Sequence, residues 1–482
     1  MMRSLVLAIA LTALGACDSI RAPADPRVEI GGEVLVGKHM PDHGVSAFLG
    51  VPFAEPPVGD LRWRVPQPLE TKVARRDASR FAPACMQSMR ILDWYRYMAG
   101  TFGGSGDYYA DLDVSEDCLY LNIWTPTLES DAKLPVMVWV HGGSNRSGWS
   151  YEPNYHGHVL AQEGVVVVSV AYRQGAFGFL SPPGLTADEP TANFGLWDIV
   201  ASLQWIQDNI EQFGGDPHRV TAFGESAGAE DILALMFAKP AAGLFHRAIL
   251  ESTAGYGIDG SSLDGERERG RKLASILGIE GDNSLAQLRQ VPADKLLRVY
   301  EEAFLDYYHA PAIDGQLITE ATWESIQAGR FGDHQLIIGA NADESSDRLT
   351  TANDYLCPSQ NTAARMTAAG RSAWMYFFTR VRKGAAGEKL GAYHGAELPY
   401  VFGTHDAYMP TTDIDQALTE TMIRYWTRFA ATGDPNSERR PDWPRFAAPE
   451  FPVQELGDEV LTTAAPESEL CKLFAEGTVS RD

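Results

Sequence analysis

Basic residues are in short supply in this chain of 482 residues. Forty lysines and arginines stand against 64 aspartates and glutamates, a formal charge of −24 with histidine neutral. Such a surface repels nucleic acid and anionic lipid at long range and disfavours polyanionic ligands. It says little about small neutral molecules, and the acidity is read as a solubility feature. Cysteine is sparse too. The five are Cys17, Cys85, Cys118, Cys357 and Cys471, and none are paired at CxxC or CxxxxC spacing. That argues against a metal site. Low-complexity linkers and repeat periods are missing. Beyond the N-terminus, no apolar stretch is long and uninterrupted enough to cross a bilayer.

What is present begins with a targeting pattern. Arg3 gives a positive start, and Leu5 to Leu14 form an apolar run too short to span a membrane as a helix. Leu14-Gly15-Ala16-Cys17 resembles the lipobox of bacterial lipoprotein signal peptides. The expectation is a signal peptide over 1–16, removed before a lipid-bearing Cys17; ordinary signal-peptidase cleavage nearby is the alternative. Either way the chain is expected to be exported, to the periplasm or cell envelope or as a secreted protein. With Cys17 lipidated, four cysteines remain, an even number suited to disulfides in an oxidising compartment. Three pairings are open to them.

Residues 17–25 are polar and proline-containing and read as a tether. The remainder, 26–482, shows no internal boundary. Large α/β enzymes run past the usual ~100–200 residues per domain as one unit. Hydrophobic residues make up 45% of the chain, ample for a core. Val28 to Val36 alternates around Gly31-Gly32 and predicts a small hairpin. Pro52 to Asp117 reads as loop-rich. Short apolar runs then recur at Leu134–Val140, Val165–Ala171, Arg219–Phe223, Ala248–Leu250, Gln335–Ile338 and Trp374–Phe378. These predict strands buried on both faces, as in a parallel sheet. Helical spacing lies between them, over Leu196–Phe213, Ile232–Phe237 and Thr419–Phe429. The alternation predicts an α/β fold with a mainly parallel central sheet flanked by helices.

Chemistry concentrates at Gly224-Glu225-Ser226-Ala227-Gly228. The motif follows a predicted strand and opens a predicted helix, the setting of a nucleophile elbow. The helix N-terminus aims free N–H groups and its dipole at the position where an oxyanion would form. Upstream, Val140-His141-Gly142-Gly143-Ser144 follows another strand, and its glycine-rich turn offers further backbone donors. A serine nucleophile needs a base, and the base an orienting acid, in the chain order Ser, acid, His. Asp343 and Glu344 follow the Gln335–Ile338 strand. Only His394 and His405 lie beyond them. His394, in Gly391-Ala-Tyr-His-Gly395, is favoured; the acid stays open between Asp343 and Glu344.

Several longer motifs extend this pattern. They are Phe48 through Trp63 (FLGVPFAEPPVGDLRW), Glu116 through Ile123 (EDCLYLNI), Ala171 through Phe179 (AYRQGAFGF), and Phe213-Gly-Gly-Asp-Pro217 before the elbow. From about Val36 to Cys471 the chain resembles the type B carboxylesterases, which include the cholinesterases. The resemblance implies the α/β-hydrolase fold and a serine carboxylic-ester hydrolase working through an acyl-enzyme on Ser226. It implies a Ser226–Glu344–His394 triad, with oxyanion donors at Gly143, Ser144 and Ala227. It also implies disulfides Cys85–Cys118 and Cys357–Cys471. No cofactor or metal is implied, and the partner is a small-molecule ester. Some relatives with this fold are adhesion molecules lacking the serine, so a non-catalytic binding protein is the rival class. A thioesterase, amidase or detoxifying esterase is the variant within enzymes.

The chain departs from the family pattern in places. Ser144 stands where a third glycine is usual, and Asn145 where an aromatic is often found. Glu230 and Asp231 make the stretch after the elbow more acidic, with the power to alter His394 if they approach it. A short loop is expected between Glu344 and Cys357 where relatives carry more helices, which predicts a more open site. Trp94, Tyr95 and Tyr97, between Cys85 and Cys118, either face the site or pack elsewhere.

Overall fold

A computed structural model describes residues 25–70, 73–105, 107, 109–186, 192–253, 255–305, 307–437, 441–467 and 471–472. The expected signal segment, Cys17 and the tether up to residue 24 lie outside the described residues.

The apolar runs form one sheet of eleven strands. In chain order they are β1 (Lys38–Met40), β2 (Val45–Pro52), β3 (Tyr120–Thr125), β4 (Leu134–Val140), β5 (Val166–Val170), β6 (Gly215–Glu225), β7 (Arg247–Glu251), β8 (Gln335–Asn341), β9 (Ala373–Phe378), β10 (Pro452–Leu456) and β11 (Val460–Ala464). Across the sheet they run β11-β10-β9-β8-β7-β6-β4-β5-β3-β2-β1. The strands from β4 to β10 pair in parallel, and antiparallel strands close both edges. Strand β4 shows why these runs read as continuous. Val136, Val138 and Val140 join one hydrophobic layer, while Met137 and Trp139 join the layer on the other face. A strand covered on both sides has no polar face to alternate with.

Five helices position the site: α1 (Arg90–Thr101), α2 (Phe194–Asn209), α3 (Ala227–Leu235), α4 (Cys357–Ala368) and α5 (Asp413–Thr432). Helix α5 begins at a capping box, in which Thr412 and Asp415 bond each other's backbone N–H, and ends at Gly433 with φ 78°. Its Trp426 packs under the sheet in the same layer as Trp139 and Phe223. The expected hairpin pairs Arg27–Ile30 with Glu33–Val36 across Gly31-Gly32.

The stretch before Asp117 is largely loop, as expected, and also carries α1, a helix of 12 residues. One expectation is corrected. The connection from Glu344 to Cys357 is not a loop. A helical turn over Arg348–Thr351 passes through a π-helical segment, Ala352–Leu356, straight into α4. Cys85–Cys118 and Cys357–Cys471 are bonded, at S–S distances of 2.05 and 2.08 Å.

Candidate active site

Ser226 sits between β6 and α3, at φ 55° and ψ −127°. A non-glycine residue held there stores about 1–3 kcal/mol of strain, which the surrounding structure must over-determine. Two contacts do so. Ser226 N–H donates to Glu251 O at 2.8 Å. On the other side α3 lies so close to β4 that a Cβ added at Gly228 would come within 2.2 Å of Val140 O. The serine side chain is left half-buried at the carboxyl end of the sheet.

The glycine-rich turn after β4 runs beside it. Gly143, Ser144 and Asn145 take φ values of 109°, 62° and 55° in succession. Glycine adopts this left-handed run without penalty; Ser144 and Asn145 each do so at a cost of about 1–2 kcal/mol. The result is a tight curl, closed where the Arg146 and Ser147 N–H groups donate to Gly143 O at 3.1 and 3.2 Å. Among the described residues, no internal acceptor takes the N–H of Gly143, Ser144 or Ala227. The Arg90 guanidinium donates to Gly143 O at 3.1 Å and to Ser144 Oγ at 3.2 Å, so the extra hydroxyl at 144 is engaged from the rim. His141 is not a base: it stacks on Tyr172 at 4.5 Å, and burial pushes its pKa down to about 4.

Glu344 and His394 meet at the ends of β8 and of the loop beyond β9. His394 Nδ1 lies 2.5 Å from Glu344 Oε2. Glu344 Oε1 accepts the Asn341 N–H at 2.7 Å, which fixes the carboxylate. Asp343 turns the other way, accepting Ala392 N–H at 2.8 Å and bracing the histidine loop from behind. Of the two adjacent carboxylates, Glu344 is the one that touches His394. His405 lies elsewhere, tied to Arg382 at 2.8 Å and to Thr419 at 2.7 Å.

The other ring nitrogen holds a surprise for sequence reasoning. His394 Nε2 stands 2.9 Å from Glu225 Oε1. Glu225 is the residue just before Ser226, so a carboxylate from the serine turn itself faces this nitrogen. Burial works against a charged imidazole, but the carboxylates of Glu225 and Glu344 outweigh it and hold the His394 pKa well above its ordinary value. Behind them lies a second tier. Glu251 accepts from Trp426 Nε1 at 2.7 Å, and Glu397 accepts from the Asn341 side-chain amide. Both are fully buried, and burial with like-charged neighbours raises both pKa values. The feared effect of Glu230 and Asp231 on His394 does not arise: the Glu230 carboxyl lies against Gly257 and Asp231 against Asn145.

Sequence reading missed Glu225, Glu251 and Glu397. The signal for Glu225 lies in the motif itself, where a carboxylate directly precedes Ser226.

The walls are mixed. Tyr355, from the π-helical segment, places its ring 5.4 Å from His394. Trp94 packs against Tyr393, the neighbour of His394, at 5.8 Å, while Tyr95 is buried and donates to Glu152, and Tyr97 is 52% exposed. Of the three aromatics, only Trp94 touches the histidine loop. The His394 side chain is 33% exposed.

A mainly parallel sheet that carries a strained serine turn at its carboxyl edge defines the α/β-hydrolase fold. The model of the carboxylesterase family matches residues 24–355 and 343–473. Fumonisin B1 esterase of Sphingopyxis macrogoltabida is 34% identical, over 83% of this chain and 82% of its own. Para-nitrobenzyl esterase of Bacillus subtilis (strain 168) is 33% identical, over 90% of this chain and 95% of its own. A solved thermophilic PNB esterase superposes with a TM-score of 0.82 at 29% identity, covering 93% of this chain and 99% of the other. The chain belongs to the carboxylesterase family. It is a carboxylic ester hydrolase.

Proposed function

We propose that Ser226, His394 and Glu344 carry this hydrolysis through an acyl-enzyme. Ser226 Oγ attacks the ester carbonyl, and His394 Nε2 takes its proton. Glu344 orients the ring through Nδ1 and stabilises the imidazolium. The N–H groups of Gly143, Ser144 and Ala227 hold the oxyanion, and water then releases the acid with His394 again as base. The observation that carries the reading is the short Glu344–His394 contact beside a serine on a strained turn. It requires Nε2 to turn from Glu225 to Ser226 Oγ when the ester binds. Catalytic hydrogen bonds often tighten only in the substrate complex. The substrates are small carboxylic esters. The Leu14–Cys17 pattern supports an enzyme lipid-anchored in the cell envelope through Cys17, or else secreted.

Incubation with an organophosphate tests the assignment. One covalent adduct per chain, mapped by peptide mass to Ser226, is the expected result, with ester turnover lost in step. A folded protein that gains no adduct there refutes it.

A pH profile probes Glu225. The base works only when His394 is neutral, so carboxylates that raise its pKa push the acid limb of kcat/KM toward higher pH. Glu225→Gln removes one of the two flanking charges. The acid limb is expected to move to lower pH; an unmoved limb would show that Glu225 does not tune the base.

A further inference from the structure

We propose that Asn145 and Asp231 form a positioning clamp that fixes the oxyanion turn against the nucleophile's helix. The proposal rests on reading Gly143, Ser144 and Ala227 as the oxyanion donors. Those donors come from two separate pieces of chain: two from the turn after β4, and one from the first residue of α3. Something must hold the pieces in register.

Asn145 follows Ser144 directly, and its side chain points inward with no exposure. Its Nδ2 donates to Asp231 Oδ1 at 3.0 Å and to His309 O at 2.9 Å. Its Oδ1 accepts from the Tyr172 hydroxyl at 3.2 Å, and its backbone O accepts Gly175 N–H at 2.7 Å. Asp231, also without exposure, lies one turn into α3 from Ala227. The Asn145–Asp231 bond therefore joins a residue beside the turn's donors to the rigid helix that carries the third. These are also two of the positions where the chain departs from the family pattern, and they touch each other across 86 residues of sequence.

Asp231 is an expensive way to fill that space. Its Oδ2 is buried with no hydrogen-bond partner among the described residues. Burial raises the pKa of its carboxyl well above the usual carboxylate range. An aliphatic side chain would pack there without the desolvation penalty. What it would lack is the acceptor for Asn145. Catalytic donors need placing within about 0.5 Å, and a 1 Å error costs about 10²-fold in rate.

The test uses the full chain and four variants, Asn145→Ala, Asp231→Leu, their double and Asp231→Asn. Each is assayed for thermal midpoint, kcat and KM on a soluble ester, and affinity for a trifluoromethyl ketone that forms a tetrahedral adduct. Asn145→Ala and Asp231→Leu are each expected to lower kcat roughly 10- to 100-fold, with KM little changed. Ketone affinity should fall in parallel with kcat/KM. The double variant should be no worse than the worse single, because the bond between the two side chains is already lost in either single. Asp231→Asn keeps an acceptor oxygen and should keep most of kcat. Asp231→Leu fills its space with apolar atoms, which keeps the test open if Asn145→Ala folds poorly. Wild-type kcat in a folded Asp231→Leu variant overturns the clamp, as do losses that multiply in the double. A wild type that turns over no ester overturns the reading of the site and the clamp with it.

Discussion

Ser226→Ala should abolish ester turnover while leaving the fold intact. The expected fall in kcat is about 10⁶-fold, the scale seen when a serine nucleophile is removed from an assembled triad. Alanine removes only the hydroxyl, and the contacts that hold the turn do not use it: the Ser226 N–H bond to Glu251 O and the close approach of Gly228 to β4 are both made by backbone. The measurement is therefore paired, with kcat on a soluble ester beside the thermal midpoint. Loss of turnover at an unchanged midpoint is the expected outcome. A variant retaining more than about a hundredth of wild-type kcat would place the nucleophile elsewhere, since an oxyanion hole and binding alone leave only about 10³–10⁴-fold over water.

Glu344→Gln should lower kcat by about 10⁴-fold, whereas Asp343→Asn should cost about fivefold or less. Glutamine keeps the shape of Glu344 and an oxygen for the Asn341 N–H. Its amide, however, favours the wrong tautomer of His394 and loses the charge that steadies the imidazolium. Asparagine at 343 retains the oxygen that accepts Ala392 N–H, so the histidine loop keeps its brace. Steady-state kinetics on the two variants side by side decide the matter. Comparable losses would mean that the 2.5 Å contact at His394 Nδ1 does not define the working acid.

The legible parts of this protein were those encoded locally. Strand β4 could be read because seven consecutive residues are apolar or proline, and the elbow because Gly224 and Gly228 bracket a serine between strand and helix periods. The acid could not be read locally. Asp343 and Glu344 are adjacent carboxylates at one strand end, and the direction each side chain takes is set by the partner across from it, Ala392 in one case and His394 in the other. Only the family resemblance chose between them. The contact of Glu225 with His394 Nε2 and the pairing of Asn145 with Asp231 join residues far apart in sequence, and no periodicity announces such encounters. The stretch after Glu344 failed for a different reason. Its 12 intervening residues looked too few for structure, yet a π-helical segment merges with the next helix and needs no turn of its own.

The Cys357–Cys471 bond spans 114 residues, and His394 lies inside that span while Ser226 and Glu344 lie outside it. The covalent graph of the molecule therefore contains a ring that carries His394. A protease that cuts once within the ring opens it without releasing a fragment, because the two pieces stay joined through sulfur. His394 would remain attached to the half that bears Ser226 and Glu344, and the nick would become visible as two chains only after reduction.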